Sequence, residues 1–234
     1  MIETALGTSI AFTAPHRLAT KAGFDILEAG GTAVEAMVAA AAQIAVVYPH
    51  MNSIGGDGFW LIKKKDQSPV AISACGPAAQ QATPEWYEKK GYKSFLPTRG
   101  PLAALTVPGT IAGWKLALEL DNPKRAVPLN ELLSAAVERA KNGVAVTKNQ
   151  HETLAAKKHE LVSVSGFKDF YLDKGHEPEV GSKLLQTKLG ETLEHLGRYG
   201  LDDFYTGELG KIHGEFLSNA GSPLKLTDFE RFKA

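Results

Sequence analysis

Val47-Tyr48-Pro49-His50-Met51-Asn52-Ser53-Ile54-Gly55-Gly56-Asp57-Gly58-Phe59 is where the pattern of the chain changes. Before it, Thr32 and Glu35 form a capping box. Val34, Met37, Val38, Ala41 and Ala45 then recur at helical spacing, with alanine at most other positions. Such a helix can be approached closely from several sides, and Pro49 stops it. A preceding helix over about His16–Ala29 carries Leu18, Ala22 and Ile26 on one stripe and ends at Gly30-Gly31. The two read as a tight αα-hairpin whose second member is central.

Beyond Gly58 the sequence becomes extended. Phe59–Lys65 and Val70–Ala74 bracket Asp66-Gln67-Ser68-Pro69, the pattern of a β-hairpin. Phe59, Trp60, Leu61 and Ile62 are continuously apolar, which predicts a strand covered on both faces. Gly55, Gly56 and Gly58 imply positive-φ turns or close approach of bare backbone to another group. The stretch lacks the Gly-Lys-Ser/Thr ending of a phosphate-binding loop and leads into a strand, not a helix. Two readings stand: a tight helix-to-strand connection, or a backbone wall beside a buried site.

A Pro- and Gly-rich stretch, Gly91–Gly109, separates this half from a helical remainder. Helices are expected at about 110–120, 129–142, 148–160, 186–199, 207–219 and 227–232. There is no regular βαβ alternation, which disfavours a doubly wound nucleotide fold. The fold class is α+β, mostly helical after residue 109.

The 234 residues carry 26 Lys plus Arg against 26 Asp plus Glu. That balance argues against a whole-chain grip on nucleic acid or an anionic membrane. No apolar run reaches the ~18 residues of a membrane span. Met1–Ala5 shows no basic segment leading into an apolar one, so no signal peptide is expected and the cytoplasm is the default compartment. The single cysteine, Cys75, excludes an intrachain disulfide framework and reads as a small buried hydrophobe. His151 and His159 are too far apart on one helix to share a metal. His16 and His50 sit at helix ends, where capping is their expected job. Lys63-Lys64-Lys65 reads as a solvated hairpin end. Neither a cofactor nor a metal is expected, and no complete catalytic constellation is visible.

Taken together, several blocks resemble the front part of the large subunit of the γ-glutamyltranspeptidase family. They are Ala14-Pro15-His16, Ala22-Gly23, Ile26-Leu27, Gly30–Val34 and the Val47–Phe59 stretch. Val107–Gly113, Pro128–Val146 with Asn142-Gly143, Phe204–Gly207 and Leu226–Phe229 follow in order. The resemblance implies part of an αββα sandwich of the N-terminal-nucleophile hydrolases. There a proenzyme cleaves itself, and the exposed N-terminal threonine attacks an amide with its own α-amine as base. Residues 1–234 would be an incomplete large-subunit segment, with no catalytic residue in this chain. The partner would be the small subunit, or the remaining C-terminal part of the same proenzyme, and the substrate a small-molecule amide.

The resemblance also implies a substrate-binding set: Gly55, Gly56, Asp57, Gly58, Ser73 and Arg99. The family's γ-glutamyl enzymes carry an Arg-Glu pair shortly before an Ala-Pro, and the arginine binds the substrate α-carboxylate. Aligning that proline with Pro77 puts Ser73-Ala74 in those places. Serine cannot make the bidentate pair that arginine makes, so a glutathione-specific enzyme is not expected. Arg99, in Thr98-Arg99-Gly100, either supplies a replacement charge or is an exposed loop arginine. The alternative to an enzyme is a non-catalytic module that binds a ligand or partner without turnover.

Overall fold

The computed structural model describes residues 6–121 and 127–234; Met1–Ala5, read above for a leader, lies outside them. Helix α1 (Arg17–Glu28) starts where His16 Nδ1 accepts from Leu18 N, and it ends at Gly30 with φ 85°. Helix α2 (Ala33–Val47) has both halves of the capping box. Thr32 Oγ1 accepts from Glu35 N, and Glu35 Oε2 accepts from Thr32 N. The other Glu35 oxygen accepts from Val127 N at 3.1 Å, tying the start of α2 to the chain entering α5 (Leu129–Asn142).

Helix α2 is central, as expected, and Val34, Val38 and Ala45 of its expected face are buried, but Met37 and Ala41 of that face are not. Ala36, Val38, Ala42 and Val46 are fully enclosed, whereas Met37 is exposed and Ala41 and Ile44 are half-buried. With α1, α5 and α4 (Thr110–Asp121) all packed around an alanine-rich helix, burial spreads over most of its circumference. The remaining open line runs through Met37. Helix α8 (Thr187–Tyr199) covers the far side of α5, burying Leu193 and Leu196 against Leu132 and Leu133. Full burial of such a leucine stabilises the fold by roughly 1.5–3 kcal/mol.

Strands β1 (Gly58–Ile62) and β2 (Val70–Ala74) form the antiparallel hairpin, with Asp66 at φ 56° in its turn. Trp60 and Ile72 face α4, where Gly113 leaves room for the indole. The opposite face is open: Phe59 is 73% and Leu61 78% exposed. The expectation of a strand covered on both faces therefore fails among the described residues, where α4 packs against one side only. Lys64 is not simply solvated either. Its Nζ donates to the carbonyls of Leu120 and Asp121, placing a cation at the C-terminus of α4.

Helices α6 (Lys148–Leu161), α10 (Glu208–Ala220) and α11 (Leu226–Arg231) lie where the sequence places them, whereas α3 (Pro84–Glu88), α7 (Phe167–Tyr171) and α9 (Asp203–Thr206), each too short to show a helical period, are not among the expected helices. A two-residue pairing of β3 (Val144–Ala145) with β4 (Lys183–Leu184) joins the ends of α5 and α8.

Candidate functional site

The glycine turn hangs from the N-terminus of α4. Gly56 O accepts from Gly109 N and Thr110 N, both at 2.9 Å, and from Thr110 Oγ1 at 2.9 Å. The same hydroxyl lies 3.2 Å from Asp57 O. Asp57 Oδ1 accepts from Gly76 N at 3.4 Å, closing the turn against the end of β2. Register then puts Gly58 opposite Ala74 and Phe59 opposite Ser73. Gly55, Gly56, Asp57, Gly58 and Ser73 are thus gathered at one end of the hairpin.

Neither physical demand that the glycines suggested is met among the described residues. Gly55, Gly56 and Gly58 have no positive φ. A Cβ added at Gly55 or Gly56 would meet nothing closer than Ser53 Oγ, at 3.8 and 4.0 Å. Their bare backbone faces open space. Close approach occurs instead at Gly76 and Gly109, where an added Cβ would lie 1.6 Å from Val107 O and 1.9 Å from Ala74 O. Those two glycines press β2 against the loop entering α4.

Ser73 is exposed on the uncovered face of the hairpin. Cys75 is exposed too, not the buried hydrophobe expected, because it lies past the last ladder pair. It lines a cavity of about 420 Å³ with Asp228 and Arg231. Arg99 lies elsewhere. Its guanidinium donates to Thr98 O and pairs with Glu160 of α6 at 2.9 Å. It lines a cavity of about 650 Å³ with His50, Met51 and Lys157. Lys157 and Arg99 together hold the Glu160 carboxyl below the usual range, the lysine contributing more. His50 is not a helix cap; its Nε2 lies 2.6 Å from Asn149 Oδ1, which also accepts from Tyr48 Oη.

Two residues at the site escaped the sequence reading. Thr110 holds Gly56, and Tyr205 holds Thr110's helix: its Oη donates to Pro108 O at 2.8 Å and accepts from Ala112 N at 2.9 Å. Burial pushes the Tyr205 phenol well above its ordinary value, so it stays protonated and can do both. Both residues lie inside sequence blocks noted above, but side chain-to-backbone bonds between positions so far apart leave no periodic trace.

Helices packed around a central α2, with a hairpin laid along α4 and a bare glycine turn at its open end, define an α+β fold built around a candidate site at a sheet end. The γ-glutamyltranspeptidase family model matches residues 19–234, and the chain belongs to that family. It is 45% identical over 223 residues to the oxamate amidohydrolase proenzyme of Klebsiella pneumoniae, covering 94% of this chain and 42% of that protein. It is 33% identical over 231 residues to the glutathione hydrolase-like YwrD proenzyme of Bacillus subtilis, covering 98% and 43%. Among solved structures, Helicobacter pylori γ-glutamyltranspeptidase superposes with a TM-score of 0.84 at 27% identity, covering 100% of this chain and 66% of that one. The cephalosporin acylase of Bacillus halodurans gives 0.84 at 29%, covering 92% and 40%. The chain spans little more than two fifths of the length of these two curated relatives. The fold is the expected portion of the N-terminal-nucleophile hydrolase sandwich.

Proposed function

We propose that this chain is the front part of the large subunit of an N-terminal-nucleophile amide hydrolase acting on a short donor that lacks a γ-glutamyl head. The observation that carries this reading is the turn at Gly55-Gly56, whose side chain-free backbone faces open space beside Ser73. Packing among the described residues does not require glycine there, which supports a group from elsewhere in the proenzyme as the reason. In this reading that group is the N-terminal threonine of the remaining part of the proenzyme, with the substrate bound between them.

The threonine hydroxyl attacks the amide carbonyl and its proton passes to the threonine's own α-amine. The C–N bond breaks, ammonia or an amine leaves with that proton, and an acyl ester remains. Water then attacks the ester, releasing the acid and restoring the hydroxyl. Gly55, Gly56, Asp57 and Gly58 wall the donor side, and Ser73 offers one neutral hydroxyl where a γ-glutamyl enzyme needs an arginine fork. A γ-glutamyl donor places its α-carboxylate three carbons beyond the scissile carbonyl. A donor such as oxamate, the substrate in the name of the Klebsiella relative, carries its carboxylate on the scissile carbonyl itself and makes no demand at Ser73. Arg99 already shares Glu160 with Lys157, which supports its reading as a loop arginine rather than a replacement charge.

The test is the mass of the purified complete gene product. Cleavage into two chains, the second opening with threonine, together with turnover of small amides, supports the reading. An uncleaved, inactive protein would favour the non-catalytic module.

A further inference from the structure

We propose that Tyr205 is a positioning residue for the substrate-binding end of the hairpin, acting through the N-terminus of α4; the proposal rests on the reading above. The first N–H groups of a helix have no partner within it, and a Ser, Thr, Asp or Asn at the N-cap ordinarily accepts from one of them. Here Gly109 occupies the N-cap, its carbonyl accepting from Gly113 N. No larger residue can stand there, because its Cβ would collide with Ala74 O. The cap oxygen is supplied instead from α9. Tyr205 Oη accepts from Ala112 N and donates to Pro108 O, so a single hydroxyl fixes the helix start and the loop entering it.

Both halves of the candidate site refer to that helix start. The glycine turn is held through Gly56 O by Gly109 N, Thr110 N and Thr110 Oγ1. The end of β2 is held by the close contacts of Gly76 with Val107 and of Gly109 and Gly113 with Ala74. Packing this tight transmits a shift of α4 to the turn and to β2 alike. The Tyr205 ring lies against Phe204 and Phe232, so Tyr205→Phe removes the hydroxyl and keeps the ring.

The experiment uses the complete gene product carrying Tyr205→Phe, assayed on oxamate well below its melting midpoint. The expected result is a kcat/KM lower by roughly ten- to a hundred-fold, mostly in kcat, since small misplacements of groups around a bound substrate act there. Hydrogen exchange at the amides of Gly109, Thr110 and Ala112 rises, with exchange in α5 and α8 unchanged. A purely structural role would lower the melting temperature but leave kcat and KM within twofold, and that result overturns the proposal. If the parent protein shows no amide turnover, the functional reading falls, while the exchange measurement still decides the positioning claim: unchanged exchange at those amides contradicts it. Should Tyr205→Phe fail to fold, Thr110→Val reports on the same linkage. Loss of kcat rescued by Thr110→Ser supports the proposal, and unchanged kcat in Thr110→Val overturns it.

Discussion

Ser73 stands directly across the β1–β2 ladder from Phe59, and both lie on the face of the hairpin that is left uncovered among the described residues. The pair puts a small hydroxyl beside a large exposed ring at the end where the glycine turn leaves its backbone bare. One face of the hairpin packs on α4, and in the proposed reading the open face meets the donor and the rest of the proenzyme.

The two kinds of glycine at this site respond oppositely to a methyl group. Gly55→Ala has room and no positive φ to strain, so thermal stability stays the same or rises slightly, by up to ~1 kcal/mol. If the proposed site is right, activity of the complete gene product on small amides falls, because the methyl would intrude on the donor. Gly109→Ala drives a methyl into Ala74 O and costs several kcal/mol or prevents folding. Melting curves of both variants check the contrast.

Within α2, adjacent alanines differ sharply. Ala42 is fully enclosed, so Ala42→Glu buries an unpaired carboxylate, costs several kcal/mol and abolishes folding. Ala41 lies on the line through Met37 and Ile44 that stays partly open, and Ala41→Glu leaves a soluble, folded chain. Expression and circular dichroism of the two variants decide this.

Much of this was legible in advance for simple reasons. Capping and periodicity are local, so α2 with its Thr32–Glu35 box and α5, expected at 129–142, fall within a residue or two of their expected bounds. Which face of α2 is deepest depends on three separate neighbours, and the apolar spacing could not rank Ala41 against Ala42. The glycine turn was visible as a cluster, but its anchors were not. Thr110 and Tyr205 act through backbone oxygens and N–H groups at positions that share no spacing with it. The exposure of Phe59 and Leu61 likewise follows from what packs on the hairpin, not from the strand itself.

Glu35 illustrates a buried carboxylate used as a clasp. It accepts from Thr32 N and from Val127 N while almost wholly enclosed. Thr32→Ala removes one cap and costs about 1 kcal/mol. Glu35→Ala strands the buried Val127 N–H and the half-buried Thr32 N–H and costs more, about 2–4 kcal/mol. Urea unfolding of the two variants gives the order.

Acid weakens the C-terminal helices in two stages. Burial holds the His213 imidazole below its ordinary value, so it stays neutral in the fold while the unfolded chain takes up a proton below about pH 6.5. Stability from His213 is therefore present above that pH and declines as pH falls towards the folded value. Partial burial of Asp203 opposes its ionisation, but the N–H groups of Leu209 and Glu208 and His195 hold its carboxyl below the usual range. Its contribution persists to lower pH and is lost only as pH falls through that depressed value. Melting temperature should drop between pH 7.5 and 5.5 in the parent protein and drop less in His213→Phe.

The most direct test of the account is the donor preference of the complete, processed protein. Loss of an arginine fork at Ser73 should weaken transition-state binding of a γ-glutamyl donor by ~2–4 kcal/mol. That corresponds to roughly 30- to 1,000-fold in specificity constant. Measured side by side, oxamate should be turned over efficiently and γ-glutamyl anilide poorly, with Ser73→Arg raising only the latter. Efficient γ-glutamyl turnover by the parent enzyme, undiminished by Arg99→Ala, would contradict the account.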